Sequence, residues 1–201
     1  MARQPGKKEE SHTRILAGAG RAFRSLGFGG AGVDGLAKAS GVTSGAFYAH
    51  FDSKATAFRE AVVAGMRDLS SAIRNVRDEA GEKWIQRFVD FYVGEKRTCE
   101  AGDTCALQSL TGDVERSDPE TRQAYEAELR AVIDAAADGI DALKPEARRK
   151  QAITLLVLLA GGVTLARAVR DPALAAEIAN AVRAAALGTP ARVRPVHPKT
   201  P

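Results

Sequence analysis

The sequence predicts an all-α fold, and three observations predict it. Ala, Leu, Glu, Arg and Lys dominate while runs of β-branched residues are scarce, a composition that favours helix. Proline is absent between Pro5 and Pro119, which permits a long succession of helices. Apolar residues recur at helical spacing between glycine punctuation marks. At 201 residues, 45% hydrophobic and 27% charged, the chain can bury a sizeable core and is not a disordered one.

In chain order, a first helix is expected from about Ser11 to Leu26, with Ile15, Ala19, Ala22, Phe23 and Leu26 on one face and Arg14, Arg21 and Arg24 off it. Gly27 closes it, and 27–32 is a glycine-rich turn. A short helix over 33–40 presents Val33, Leu36 and Ala37 inward. Gly41 interrupts the chain, and Val42-Thr43-Ser44 restarts it as another short helix ending near His50. Asp52 or Ser53 then caps a long helix to about Asp78. Trp84, Ile85, Phe88, Phe91 and Tyr92 form an aromatic stripe on a helix that ends before Cys99; 100–104 is a loop and 105–114 a helix. Pro119, Pro145 and Pro172 each lie just inside a helix start, predicting helices at 119–143, 145–169 and 172–187. The total is nine helices with no strand. The apolar run from Ala152 to Ala166 falls short of roughly 18 uninterrupted apolar residues and contains Thr154, Gly161, Gly162 and Thr164, so a buried helix is expected there rather than a membrane span.

Charge divides the chain. Residues 1–54 hold eight Lys or Arg against four acids, the 188–201 tail adds Arg192, Arg194 and Lys199 with no acid, and the middle is net acidic. A basic head on an acidic body suits a phosphate-binding head. The expected division is a head at 1–54, a helical body at 55–188 and a proline-rich disordered tail at 189–201. Two cysteines, Cys99 and Cys105, are too few for a disulfide framework, and no signal peptide is visible, so a reducing cytoplasm is expected. No phosphate-binding glycine loop, nucleophile elbow, HExxH or CxxC occurs, and the three histidines, His12, His50 and His197, are spread between head and tail. No enzyme, metal site or cofactor is expected.

The informative segment is 33–54. Two short helices joined by a glycine turn make a helix-turn-helix, whose second helix can enter a major groove. Phe47 and Phe51, four apart, anchor that helix inward with Val42, leaving Thr43, Ser44, Gly45, Ala46, Tyr48 and His50 partly or wholly outward. The order Gly27-Phe28, Val33, Leu36-Ala37, Gly41-Val42-Thr43, Gly45, Phe47-Tyr48, His50-Phe51 and Ser53-Lys54 resembles the head of the tetracycline-repressor (TetR) family of transcriptional regulators over about 11–60. The resemblance implies a repressor that binds palindromic double-stranded DNA as a homodimer and responds to a small-molecule effector. It implies phosphate contacts by Thr43, Tyr48 and Lys54, with residues 44–46 and His50 nearest the bases. One departure stands out: Gly32 occupies the place where the family often has a helix-capping Thr.

In that family the last two long helices pair with their copies. Independently, Leu155, Leu156, Leu158, Leu159, Val163 and Leu165 are more apolar than one face of a surface helix requires, Gly161-Gly162 allows close approach, and Leu174, Ile178, Val182 and Leu187 follow. Leu155, Leu158, Leu159, Gly162, Val163, Leu165, Leu174, Ile178 and Val182 are the expected dimer residues, a monomer's core being the other reading. Trp84, Phe88, Phe91 and Tyr92, with Cys105, Leu107, Leu110, Tyr125 and Leu129, are candidates to line an apolar ligand cavity or to be plain core. The segment 98–110 resembles a subset of the family, that of the N-ethylmaleimide reductase repressors, in which cysteine senses electrophiles. At a helix N-terminus the Cys105 thiolate would be favoured; a buried, inert thiol is the alternative.

Overall fold

The computed structural model describes residues 6–141 and 144–188; the expected tail at 189–201 lies outside them. Every regular element among the described residues is helical. In the head, α1 (Lys7–Gly30), α2 (Val33–Ala39) and α3 (Ser44–Tyr48) precede the long α4 (Lys54–Ala80), which runs on into the body. The body continues with α5 (Trp84–Phe91), prolonged by a π-turn at Tyr92–Lys96, then α6 (Ala106–Ser109), α7 (Thr111–Glu115), α8 (Pro119–Ala137), α9 (Pro145–Ala168) and α10 (Pro172–Ala186). With α6 and α7 taken as the one bent helix expected over 105–114, nine helices stand among the described residues.

The caps explain the boundaries. Gly27 adopts φ 70°, ψ 170° and breaks the helical path of α1 near its end. Leu26, placed on the apolar face from sequence, is exposed where the chain turns away at that glycine. The side chains of Thr43, Ser53, Asp118 and Asp171 accept backbone N–H groups at the starts of α3, α4, α8 and α10. Gly32 supplies α2 with no side-chain cap, the local consequence of the missing hydroxyl. Two helix boundaries in the body differ from expectation. The 105–114 helix bends at Leu110, where the Thr111 hydroxyl takes the Leu107 carbonyl at 2.6 Å. Helix α8 stops at Ala137, short of 143, because Trp84 Nε1 docks on the Gly139 carbonyl at 2.7 Å in the turn that follows.

One core runs the length of the molecule. Phe23, Phe47, Phe51 and Phe58 fill the head end, and Met66, Ile73, Trp84, Phe88, Val132 and Leu159 the body end. Long helix α4 lies along α8 in the body and crosses α1 in the head. Helix α9 has the length and apolarity of a membrane span, but its Ala152, Leu155, Leu156, Leu159, Val163 and Ala166 row is packed inside the protomer. The opposite row is not: Ile153, Val157 and Leu165 are exposed, Val157 at 65% and Leu165 at 62%. The expected buried helix is thus buried on one side only.

Candidate nucleic-acid interface and adjoining cleft

Helices α2 and α3 meet through Gly41 at φ +69°, a left-handed position that admits glycine without strain. The pair is fixed to α1 by Ser40, whose buried hydroxyl donates to the Ile15 carbonyl at 2.9 Å and alternatively to that of Leu36 at 2.8 Å. The approach of α1 is close enough that a Cβ on Gly18 would stand 2.6 Å from Ser40 Cα. Phe47 and Phe51 point into the core with ring centroids 4.9 Å apart, as their spacing predicts. Helix α3 therefore presents its other side outward. Tyr48 is 52% exposed, a large aromatic with no core duty.

The remaining candidates differ in how free they are. Thr43 and Gly45 are exposed, and Ser44 and Ala46 half-buried. The Thr43 hydroxyl accepts the Ala46 amide at 3.2 Å, and the Ser44 hydroxyl donates to Asp34 on α2 at 2.6 Å. Lys54 lies with its ammonium 4.4 Å above the Phe28 ring, a cation–π contact that draws it toward the head's own surface. His50 turns partly inward. Its ring is 5.7 Å from His12, and its Nδ1 is buried without a partner among the described residues. His12 in turn meets Glu60 at 2.7 Å and packs on Phe51.

A cleft of about 490 Å³ opens between head and body. Of the residues expected to line a cavity, Phe88, Phe91, Tyr92 and Cys105 do so. Trp84 and Leu110 are core, and Leu107, Tyr125 and Leu129 pack partly buried against it, the Tyr125 hydroxyl 2.9 Å from that of Thr111. The polar walls were not anticipated: Arg24 arrives from α1, Asp68 from α4, Lys96 from the π-turn, and Asp103 and Thr104 from the loop. Arg24 passes over α4 at Gly65 and donates Nε–H to the Gly102 carbonyl at 2.7 Å. No signal in its own helix marks Arg24, since it falls off the apolar stripe like any solvated arginine. Behind the cleft, one Arg167 nitrogen reaches the carbonyls of Lys96, Arg97 and Cys99 at 2.9–3.2 Å, closing the end of the π-turn.

Both cysteines are free thiols. Burial pushes the Cys105 thiol up, against the opposing pull of the Tyr92 hydroxyl, the Leu107 and Gln108 amides and Lys96. Of the two readings of Cys105, burial favours the inert thiol: desolvation outweighs the amides at the helix start. Cys99 is half-buried, its thiol against the Lys96 carbonyl at 3.5 Å. Among the described residues no group of three or more His, Cys, Asp or Glu is placed to hold a metal ion.

On the α9–α10 side, Leu155, Leu159, Gly162, Val163 and Val182 face the protomer's own interior, and Leu158 and Ile178 are half-buried. Gly162 admits Val182, which a Cβ there would overlap. Leu165 and Leu174 are exposed, in line with Ile153, Val157 and the open Gly161. Of the nine residues expected at an interface, five are thus buried within the chain itself and two, Leu165 and Leu174, are exposed.

Residues 15–61 match the family model for bacterial regulatory proteins, tetR family. Solved structures extend the likeness to the whole fold. A TetR-family transcriptional regulator from Cytophaga hutchinsonii is 14% identical with a TM-score of 0.74, over 92% of this chain and 98% of that one. One from Agrobacterium tumefaciens is 14% identical at 0.71, over 88% and 97%. The reduced form of E. coli NemR is 19% identical at 0.68, over 86% and 95%. No curated protein matches the chain in sequence. The match places a TetR-type head at residues 15–61, and the chain shares the all-α fold of these structures.

Proposed function

We propose that this protein is a cytoplasmic, homodimeric transcriptional repressor that grips a palindromic DNA operator with α3 and releases it when a small molecule enters the cleft between head and body. The observation that carries the reading is Tyr48: half exposed on α3, while its neighbours Phe47 and Phe51, with Val42, anchor the helix. A phenol in that position reaches a phosphate, with Thr43 and Lys54 beside it, and the small residues Gly45 and Ala46 let the helix come close to base edges. The sparse hydrogen-bonding capacity of that face leaves thymine methyls and groove shape as much of the readout.

The exposed row Ile153, Val157, Gly161, Leu165 and Leu174 supports a two-fold dimer, since an apolar stripe of this length on two adjacent helices is costly in water. The effector acts by population shift, favouring a body geometry in which the two heads no longer match the half-sites. An architectural DNA-binding protein would need no such cleft. The alternative of electrophile sensing through Cys105 has in its favour only that the thiol lines the cleft; its burial and raised pKa argue against it.

The test is selection of a palindrome from random duplex DNA, followed by salt-dependent binding of wild type and a Tyr48→Phe/Lys54→Ala variant. One enriched palindrome, bound more weakly by the variant with a salt slope lower by about one, supports the reading. Weak, unselective binding that the variant leaves unchanged sinks it.

A further inference from the structure

Resting on the effector reading, we infer that the cleft takes a small organic anion: a carboxylate on a flat apolar body, its charge held by Arg24 and Lys96 and its body laid against Phe88, Phe91 and Tyr92.

The argument is an account of donors. The Arg24 guanidinium is half-buried and carries five N–H groups, of which one is spent, on the Gly102 carbonyl. Among the described residues it makes no ion pair, whereas its neighbour Arg21 has both Asp103 and Glu100. Burial and the proximity of Arg21 depress its pKa, with the Asp68 carboxylate pulling the other way. Lys96 spends one ammonium N–H on the Asp103 carbonyl at 2.7 Å and lies 5.7 Å above the Phe91 ring. The Tyr92 hydroxyl, in a residue only 2% exposed, stands against the Cys105 thiol and finds no nitrogen or oxygen partner among the described residues. Of the acids of the cleft, Asp103 is engaged by Arg21, and Asp68, exposed, acts on Arg24 as a partial counter-charge without an ion pair.

What the inner walls have left to give is therefore donors, in a hollow of about 490 Å³ otherwise floored by Leu69, Ala72, Phe88 and Phe91. A carboxylate only accepts, and charge-assisted bonds to it are the strong ones. Volume and apolar lining suit a ligand of drug-like size. The placement has a consequence for signalling. Arg24 belongs to α1, the helix that holds α2 through Ser40, so the anion would pull directly on the head rather than reach it through the body alone.

The test uses the full chain without DNA and three probes of one shape: 2-naphthoate, neutral 2-naphthamide and cationic 2-naphthylmethylammonium, titrated by calorimetry. The expected result is one naphthoate per chain, bound at least about tenfold tighter than either of the others. Arg24→Gln and Lys96→Gln should each erase that preference while leaving the amide unaffected. Tyr92→Phe should weaken naphthoate at unchanged fold. Circular dichroism checks each variant, and Lys96→Gln, at a half-buried site, keeps the test open if Arg24→Gln unfolds. Equal affinity for the amide, no saturable binding of any probe, or naphthoate binding indifferent to all three substitutions overturns the inference. Operator affinity measured with each probe separates the two claims. Naphthoate that binds at these residues without weakening DNA binding removes the effector reading and leaves the anion site; release by the amide as readily as by naphthoate does the reverse.

Discussion

The Asp113 carboxylate on α7 accepts the Phe28 backbone N–H at 2.8 Å and stands 3.1 Å from the point where a Cβ on Gly27 would lie. The break that ends the first helical run is thus held by a side chain of the body. Two further ties reach α1 from the same stretch, an ion pair between Asp103 and Arg21 and the Gly102 carbonyl on Arg24. The segment 102–113 is a clamp on the head's first helix, and it borders the cleft. A change in the cleft has a short mechanical path to α1.

The clamp predicts a coupled pair of substitutions. Gly27 sits at φ 70°, ψ 170°, a region nearly closed to other residues, so Gly27→Ala should cost about 1–3 kcal/mol. Asp113→Ala should cost about 1–2 kcal/mol by stranding the Phe28 amide. Because the new methyl of Gly27→Ala would crowd that same carboxylate, the double variant should lose less than the sum. Urea unfolding of the four proteins reads this out, and strict additivity would mean that the two residues do not communicate.

The two adjacent glycines of α9 separate fold from assembly. Gly162→Ala drives a methyl into Val182 and should destabilise the protomer by about 1–3 kcal/mol. Gly161 meets nothing within 4 Å, so Gly161→Ala should leave the protomer's fold intact or gain about 0.5–1 kcal/mol from helix propensity. Val157→Glu puts a charge in the middle of the exposed row without touching the core. Sedimentation should then give a monomer with unchanged helicity, and operator affinity should fall with it. A Val157→Glu protein that still sediments as a dimer would place the interface elsewhere.

Cys105 titrates with a definite sign. Its thiol is raised in the folded state, so the folded chain keeps a proton that the unfolded chain loses. Stability is therefore full below the ordinary thiol value and falls as pH rises through it toward the folded value. Cys105→Ser should flatten that alkaline decline. At pH 7.5, iodoacetamide should label half-buried Cys99 well before Cys105, as mapped by mass spectrometry of the peptides. Prompt labelling of Cys105 would revive the thiol-sensing alternative.

What the chain discloses about itself follows from locality. The starts of α8 and α10 are legible because Asp118-Pro119 and Asp171-Pro172 carry cap and first-turn proline in neighbouring residues. Phe47 and Phe51 are legible for the same reason, being one turn apart. The early end of α8 is not, because it depends on Trp84, 55 residues away, docking on Gly139. Arg24 was invisible as a cleft residue, since only the packing of α1 across Gly65 turns it inward. In α9, an almost wholly apolar run has no polar face to fix its phase, so Leu155 and Val157 look alike in sequence and end up on opposite sides.

The last prediction concerns Asp34, an acid on a surface proposed to meet phosphates. It accepts the Ser44 hydroxyl at 2.6 Å and so orients the first residue of α3. It also repels DNA at close range, and two roles of opposite sign can be told apart. Asp34→Asn keeps an oxygen for Ser44 and removes the charge. Non-specific affinity should rise, with the rise shrinking as salt screens the repulsion. Asp34→Ala removes both, so it should gain the same non-specific affinity but lose discrimination between the operator and a scrambled duplex, by about fivefold or more if Ser44 then samples other rotamers. Side-by-side binding of both variants to both duplexes at two salt concentrations checks this. Equal discrimination in the two variants would mean that the Asp34–Ser44 bond does not aim the helix and that Asp34 acts through its charge alone.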